Sequence, residues 1–492
     1  MIQAHLSLLL VVIPLAAAPV VAILPRGRLP WAVALIVTSV CAVLAGMQLW
    51  AVVHDGVISY ELGGWAPPWG IEYRIDAVNA FIALVIAGIA AITMPYALLS
   101  AEKEIPEHQI PLFYSAFLLC FTGLLGITQT GDIFNVFVFL EISSLSSYAL
   151  ISLGRKRQAL TSAYQYLIMG TLGATFFLIG VGLIYSQTGT LNMADLTARI
   201  PEVLALKTIH TGFAFILIGI ALKLALFPLH LWLPNAYTYA PTVITVFLAA
   251  TATKVAVYIM IRILFSVFPD GFVTATPTGD LFIILGLAGI IIASVYATYQ
   301  VDVKRLLAYS SVAQIGYIAL GIGFASASGL TASLIHVFNH ALMKGALFMA
   351  VGSIIYRIGA CRMDNIHGLG RQMPWTFAAI VVGSLSLIGV PGTAGFISKW
   401  YLVLAALNQQ AWIAVVIILI GSLLAVVYMG KVIEALYFKP ATDKNLSVKE
   451  APMLLLAPTW VLVVANIYFG LNTELTVGIA GQAVQVLGVV AK

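Results

Sequence analysis

The chain has 492 residues, of which 61% are hydrophobic and 9% charged, with a formal net charge of +5. Soluble globular chains carry about 45–50% apolar and about 25% charged residues. This composition therefore excludes a soluble enzyme, a nucleic-acid reader and a disordered chain, and it fits a membrane protein built mostly of spanning segments.

The apolar stretches are continuous, as in LIVTSVCAVLAGMQLWAVV and FIALVIAGIAAITMPYALL. A barrel strand would alternate apolar and polar residues, so the pattern predicts a helix bundle. A stretch of about 20 residues crosses roughly 30 Å of hydrocarbon at about 1.5 Å per residue. The N-terminal MIQAHLSLLLVVIPLAAAPVVAILPRGR has no basic segment ahead of its apolar run, and its arginines follow it. That order predicts a retained first span ending in the cytoplasm rather than a cleaved signal.

In chain order the expected spans cover residues 4–24, 31–53, 77–100, 111–129, 131–153, 162–187, 210–238, 242–268, 280–300, 303–323, 328–358, 375–406, 411–438 and 451–490. The last stretch allows one span plus a tail, or two short passes. The polar connection 54–76 has the Gly, Pro and short alternation of an outward hairpin. The other long connection is 188–209, and residues 439–450 read as a charged inward linker.

With the N-terminus outside, the cytoplasmic loops hold Arg26, Arg28, Lys103, Arg155, Lys156, Arg157, Lys304, Arg305, Arg357, Arg362, Arg371, Lys431, Lys439, Lys444 and Lys449. The opposite side holds Arg74, Arg199, Lys207, Arg262 and Lys492. The positive-inside rule then places both termini outside.

Two spans carry breaks. The seventh contains Pro228 and Pro234, and the twelfth contains Gly389, Pro391, Gly392 and Gly395. Proline removes a backbone donor and clashes with the preceding turn. A broken span is tolerated at membrane depth only where protein or water satisfies its backbone. Two such spans, five apart and each beside a lysine, point to two related halves around a transport pathway. Ordinary proline kinks are the alternative.

Four of the 24 basic residues fall deep in spans: Lys223, Lys254, Lys344 and Lys399. Glu141 lies deep in the fifth span. A charge at the bilayer centre costs from about 3 to more than about 10 kcal/mol, so five such groups point to function. Glu141 and Lys223, of opposite sign, form either a pair that exchanges protons as it opens and closes or a static buried salt bridge. His336, His340 and Lys344 stand at i, i+4 and i+8, on one helical face. Histidine titrates near neutrality and suits proton relay. Structural hydrogen bonding is the alternative, as is a metal pair, although Lys344 would repel a cation. Lys254 could continue a line from Lys223 toward the eleventh span, with Lys399 at its end. Asp132 and His230 are second-tier candidates, and Asp132 is equally readable as a helix cap. Lys431 and Glu434 read as a solvated pair. Ser143, Ser144, Ser146, Ser147, Ser310, Ser311 and Gln314 suit either water binding or close helix packing.

Cys41, Cys120 and Cys361 stand far apart and form no C-x-x-C motif, so they read as small apolar residues. No motif for a cofactor, a resident metal, a nucleotide pocket or nucleic acid is present, and no catalytic redox site is expected in this chain.

The segments GDIFNVFVFLEISSLSSYAL, LKLALFPLHLWLPNAY, QVDVKRLLAYSSVAQIGYI, HVFNHALMKGALFMAVGSI and GVPGTAGFISKWYL, in this order, resemble the antiporter-like membrane subunits of Mrp-type cation/proton antiporters, respiratory complex I and membrane-bound hydrogenases. The resemblance covers nearly the whole chain. It implies an all-α fold of fourteen transmembrane helices, with helices four to eight and nine to thirteen as inverted repeats and helices seven and twelve broken. The implied segments are 1–110 for the first three helices, 111–268 and 280–438 for the two repeats, and 451–492 for the last helix and tail.

By the same resemblance, Glu141 and Lys223 match a fifth-helix Glu opposite a seventh-helix Lys. Lys254, His336, His340, Lys344 and Lys399 match the remaining members of a hydrated proton axis. Length, GDIFNVFVFLE and Lys399 look most like the D-type branch of the Mrp antiporters, while LEISSLSSYAL is also similar to the complex I and hydrogenase branches. The implied function is proton movement within a multi-subunit Na+/H+ antiporter of the bacterial cytoplasmic membrane, with other membrane subunits as partners. A proton-pumping subunit of a redox complex is the alternative, and a self-sufficient carrier a third.

Overall fold

The computed structural model describes residues 5–489. Lys492 and the outermost residues of the expected first and last segments lie outside the described residues, as does the side chain of Lys444. Among the described residues, thirteen helices are long and apolar enough to cross a membrane. A fourteenth span is divided into two shorter helices.

The first six spans are Leu6–Ile23, Leu29–Asp55, Ala77–Glu104, Ile110–Gln129, Ile133–Ser152 and Gln158–Thr188. The seventh is Lys207–Leu224, resumed as Trp232–Tyr239. The eighth is Thr242–Ala250 and Ala252–Arg262, closed by a wide turn at Ile263–Val267. Then follow Thr278–Thr298, Val303–Gly323 and Ala327–Ile358, the twelfth as Pro374–Ile388 and Ala394–Asn408, the thirteenth as Trp412–Ile433 with a wide turn at Glu434–Phe438, and the fourteenth as Met453–Leu471. The stretch after it forms only a 13-residue helix, Glu474–Val486. At about 1.5 Å per residue this is too short to span, so 451–490 holds one span and a short helix. The 54–76 connection is an antiparallel hairpin, Ile58–Glu61 paired with Glu72–Ile75.

Both breaks fall where the sequence places them, with one refinement. The seventh span opens over residues 225–231, around Pro228. Pro234 lies in the first turn of the resumed helix, where its missing N–H removes no intrahelical bond. Each break begins at a left-handed residue, Ala225 (φ 57°) and Gly389 (φ 90°). In each, the next N–H reaches five residues back, Leu226 to the Ala221 carbonyl and Val390 to the Leu385 carbonyl.

Further backbone features recur along the chain. Asp132 caps the fifth span through the Asn135 N–H, and Asp302 caps the tenth through the Arg305 N–H. Asp132 is bridged to Asn192, and Asp302 to Arg362. Gly189 and Gly359 end the sixth and eleventh spans in the left-handed conformation. Each pair is 170 residues apart.

The tenth span is enclosed along its whole apolar length and the eighth nearly so, whereas the first, sixth, ninth and thirteenth present broad apolar faces outward. Close helix crossings rest on glycine. A Cβ on Gly180 would lie 2.5 Å from the Gly212 carbonyl oxygen, and one on Gly219 would lie 2.5 Å from that of Gly173. Small residues of this kind let helix backbones meet where lipid offers no hydrophobic drive for association.

Candidate functional site

Lys223 occupies the last turn before the seventh-span break, and its ammonium lies 3.7 Å from Glu141 Oε1. It donates to Ser144 Oγ at 2.6 Å and faces Tyr148 Oη at 3.5 Å. Glu141, Ser144 and Tyr148 follow one another at helical spacing, so a single face of the fifth span cradles the lysine. At the end of this half-helix another donor takes a free carbonyl: Trp232 Nε1 donates to the Leu222 carbonyl at 2.9 Å. The Trp232 ring stacks on Tyr166 at 3.8 Å, and Tyr148 packs edge-on against Tyr166. Glu141 Oε1 has no hydrogen-bond donor among the described residues.

Lys254 follows the Thr251 interruption of the eighth span and is fully enclosed. Its ammonium donates to the Ala249 carbonyl, which the interruption leaves accessible, and lies near Thr253 Oγ1. It is within electrostatic range of His336, His340 and Lys344. The two histidine rings are nearly parallel, with centroids 6.1 Å apart. Lys344 donates to the Leu307 carbonyl at 2.8 Å and Ser310 Oγ at 2.5 Å. Neither ring nitrogen of His340 has a partner among the described residues, nor does His336 Nε2. Buried polar atoms are almost always satisfied, so these positions call for water.

His336 Nδ1 meets Ser398 Oγ at 2.8 Å. Lys399, the next residue, crosses the twelfth-span break. It donates to the carbonyls of Leu387 (3.1 Å) and Ile388 (2.9 Å) and to Ser422 Oγ (3.0 Å), with the Tyr317 ring 4.8 Å away. These carbonyls form the C-terminal, partly negative end of the first half-helix.

The structure thus joins Glu141 to Lys223, and it groups Lys254, His340 and Lys344, while His336 bonds Ser398, the sequence neighbour of Lys399. Among the described residues no hydrogen bond joins Lys223 to Lys254. Of the second-tier residues, Asp132 is a cap, its carboxylate accepting from the Asn135 N–H at 2.7 Å. Burial pushes its carboxyl up against the pull of the Asn135 and Phe134 N–H groups. His230 lies within the break, buried against Phe227, with Nδ1 unpartnered among the described residues. The expected Lys431–Glu434 pair does not form: Lys431 donates to the Thr298 carbonyl, and Glu434 pairs with Lys439.

Two features escaped the sequence reading. Asp76 and Arg262, 186 positions apart, form a buried two-pronged ion pair at 2.7 and 2.9 Å. Lys304, expected in a loop, is buried in the first turn of the tenth span and donates to the Ala240 carbonyl. No local pattern announces either, since both depend on which distant elements meet. Among the described residues no three His, Cys, Asp or Glu side chains form a metal-holding group.

A fourteen-span bundle with broken seventh and twelfth spans and a row of enclosed lysines and histidines defines a polytopic membrane protein of the antiporter-like class. Residues 130–425 match the family model described as NADH:quinone oxidoreductase/Mrp antiporter, transmembrane, and the chain belongs to this family. It is 40% identical to the N-type subunit of the NADH-quinone oxidoreductase of Desulforudis audaxviator over 96% of both chains. It is 31% identical to the D-type subunit of the Na(+)/H(+) antiporter of Alkalihalophilus pseudofirmus, covering 86% of this chain and 85% of that one. Its fold superposes with a TM-score of 0.90 and 32% identity on a chain of the membrane-bound sulfane sulfur reductase, an archaeal respiratory membrane complex, covering 98% of each. These likenesses reach both branches and do not single out the antiporter.

Proposed function

We propose that this chain is a proton-translocating membrane subunit of a multi-subunit energy-converting complex. The observation that carries the reading is the His340 site: an enclosed imidazole with both nitrogens unpartnered among the described residues, near Lys254 and Lys344. A purely structural histidine would have its nitrogens satisfied. With no protein partner for either nitrogen among the described residues, and Lys344 one turn away on the same helix, it suits a relay. Glu141 and Lys223 act as one end of the path. Lys254, His340, Lys344 and His336 carry protons across the centre, and Lys399 passes them to the other end. The charge distribution supports a bacterial cytoplasmic membrane location with both termini outside.

The 40% identity to an NADH-quinone oxidoreductase chain supports a redox-driven complex, in which partner subunits hold the electron carriers and this chain moves protons. The 31% identity to a Na(+)/H(+) antiporter chain supports the second reading, a Na+/H+ antiporter. Mild-detergent purification of the tagged chain from native membranes separates them. Co-purifying flavin, iron–sulfur or nickel–iron subunits are expected under the first. Small hydrophobic subunits with other antiporter-like chains, and no redox proteins, would move the chain to the second. In either setting Lys223→Ala abolishes proton transport while the complex still assembles; normal transport by that variant in vesicles would sink the proposal.

A further inference from the structure

The path above lacks a connection to the Lys- and Arg-rich face. Along the third span, Thr93, Tyr96, Ser100 and Glu104 share one face at spacings of three, four and four residues. All four belong to Ala77–Glu104, and Thr93 and Tyr96 are fully buried. This face packs on the eleventh span. Tyr96 Oη donates to the Met349 carbonyl at 3.2 Å, and Ser353 Oγ donates to the same oxygen at 3.1 Å. Gly352 makes the approach possible, for a Cβ there would lie 2.0 Å from Tyr96 Oη and 2.3 Å from Thr242 Cγ2.

At the basic-face end of the stripe, Ser100 Oγ donates to Glu104 Oε1 at 2.9 Å and the Thr242 N–H to Glu104 Oε2 at 2.9 Å. Glu104, Thr242 and the buried Lys304 line a cavity of about 130 Å³, together with Lys103, Arg155 and Lys156. At about 30 Å³ per molecule this volume accommodates about four waters.

Farther along the third span, Ile89, one turn before Thr93, packs at the position of Gly345, the sequence neighbour of Lys344. Thr93 thus lies between the levels at which the third span meets Gly352 and Gly345. Two hydroxyls on this line, Thr242 Oγ1 and Thr93 Oγ1, are buried and have no partner among the described residues. A threonine within a helix ordinarily bonds the carbonyl three or four residues back, as Thr38 and Thr122 do; Thr93, inside the third span, does not. Thr242 is the first residue of its helix, after Pro241, and its buried hydroxyl likewise calls for a water partner.

We infer that the third and eleventh spans enclose a hydroxyl-lined proton inlet, running from the Glu104–Lys304 cavity past Thr242, Tyr96, Ser353 and Thr93 to Lys344. The inference rests on the proton-translocating reading. Protons hop along the file as each hydroxyl or water accepts one and releases another, so no group changes its net protonation. The third span thus becomes a wall of the path rather than a scaffold outside it.

The test uses the intact complex in vesicles, with Lys223→Ala as reference. Tyr96→Phe combined with Thr242→Val removes two hydroxyls and keeps shape and the Thr242 N–H bond. Proton flux is expected to fall tenfold or more in a complex that remains whole on a native gel, while Thr242→Ser retains flux. In a chain with Cys41, Cys120 and Cys361 replaced by Ser, Ag+ added on the basic face is expected to block flux through Thr93→Cys and not through the cysteine-free parent. Wild-type flux in the double variant overturns the inlet, as does loss in Thr242→Ser, which would mark a packing effect. If Lys223→Ala is inactive while the double variant is normal, only the inlet falls. If Lys223→Ala is also normal, the proposed function falls with it.

Discussion

Replacing Glu141 by Gln tests how Lys223 is held. At 3.7 Å and an effective dielectric of about 20, the carboxylate attracts the ammonium by about 4 kcal/mol. Lys223 is buried and the Glu141 side chain is 24% exposed, so solvent screening removes only part of this. Glutamine keeps the shape and removes the charge, leaving the ammonium with Ser144 and Tyr148 alone. A change of about 4 kcal/mol is about a thousandfold in an equilibrium, and proton flux in vesicles should fall to background. Aspartate retreats by about 1.5 Å, one carbon–carbon bond. The same Coulomb expression then loses only about 1.3 kcal/mol, about tenfold. Flux should therefore rank wild type, Glu141→Asp, Glu141→Gln, in complexes of equal abundance. Wild-type flux in the glutamine variant, or complete loss in both variants, would refute the electrostatic account.

His340→Leu removes an imidazole that no protein group holds among the described residues, so thermal stability should change by less than about 1 kcal/mol, while flux is lost; a clearly lower unfolding temperature would mark His340 as structural. Gly389→Ala forces a Cβ onto a φ of 90° and to 2.9 Å from Lys399 Cδ. A cost of about 1–2 kcal/mol and displacement of Lys399 should appear as reduced thermal stability together with reduced flux. For Asp76, burial pushes the carboxyl up, but Arg262 and the Asn79 and Val78 N–H groups outweigh it and hold the carboxyl below its ordinary value. Its contribution to stability is therefore complete above about pH 4, the unfolded value, and is lost as pH falls through the folded value. Arg262→Gln should cost about 3–5 kcal/mol at neutral pH and flatten that acid limb of the thermal-unfolding profile; an unchanged limb would remove the pair as its cause.

The bundle was legible because its signals are local. Continuous apolar runs mark spans, and Pro228 and Gly389 mark breaks that no helix carries unaided. Glu141 and Lys223 were legible as a pair because they are the opposite charges on nearby spans. What local signals do not carry is the partner of each buried cation. Lys254, Lys344 and Lys399 bind backbone carbonyls, which have no sequence identity to read. Lys304 counted among the loop charges, but Asp302 is the cap that starts the tenth span and carries Lys304 inside with it. Asp132 caps the fifth span in the same way.

The two breaks solve the same backbone problem and hold their lysines differently. Each begins with a left-handed residue and an N–H that reaches five residues back. In the twelfth span the exposed carbonyls of Leu387 and Ile388 are left to Lys399, and the helix end supplies about half a negative charge. In the seventh span Trp232 takes the Leu222 carbonyl, and Lys223 turns instead to a full carboxylate. A carboxylate on a side chain moves by a rotamer change, whereas a helix end moves only with the backbone. Under the proposed function, the Glu141 pair is therefore the end that opens by side-chain motion. At the Lys399 end the acceptors are backbone carbonyls, fixed with the half-helix Pro374–Ile388, and only the lysine side chain itself can turn away from them.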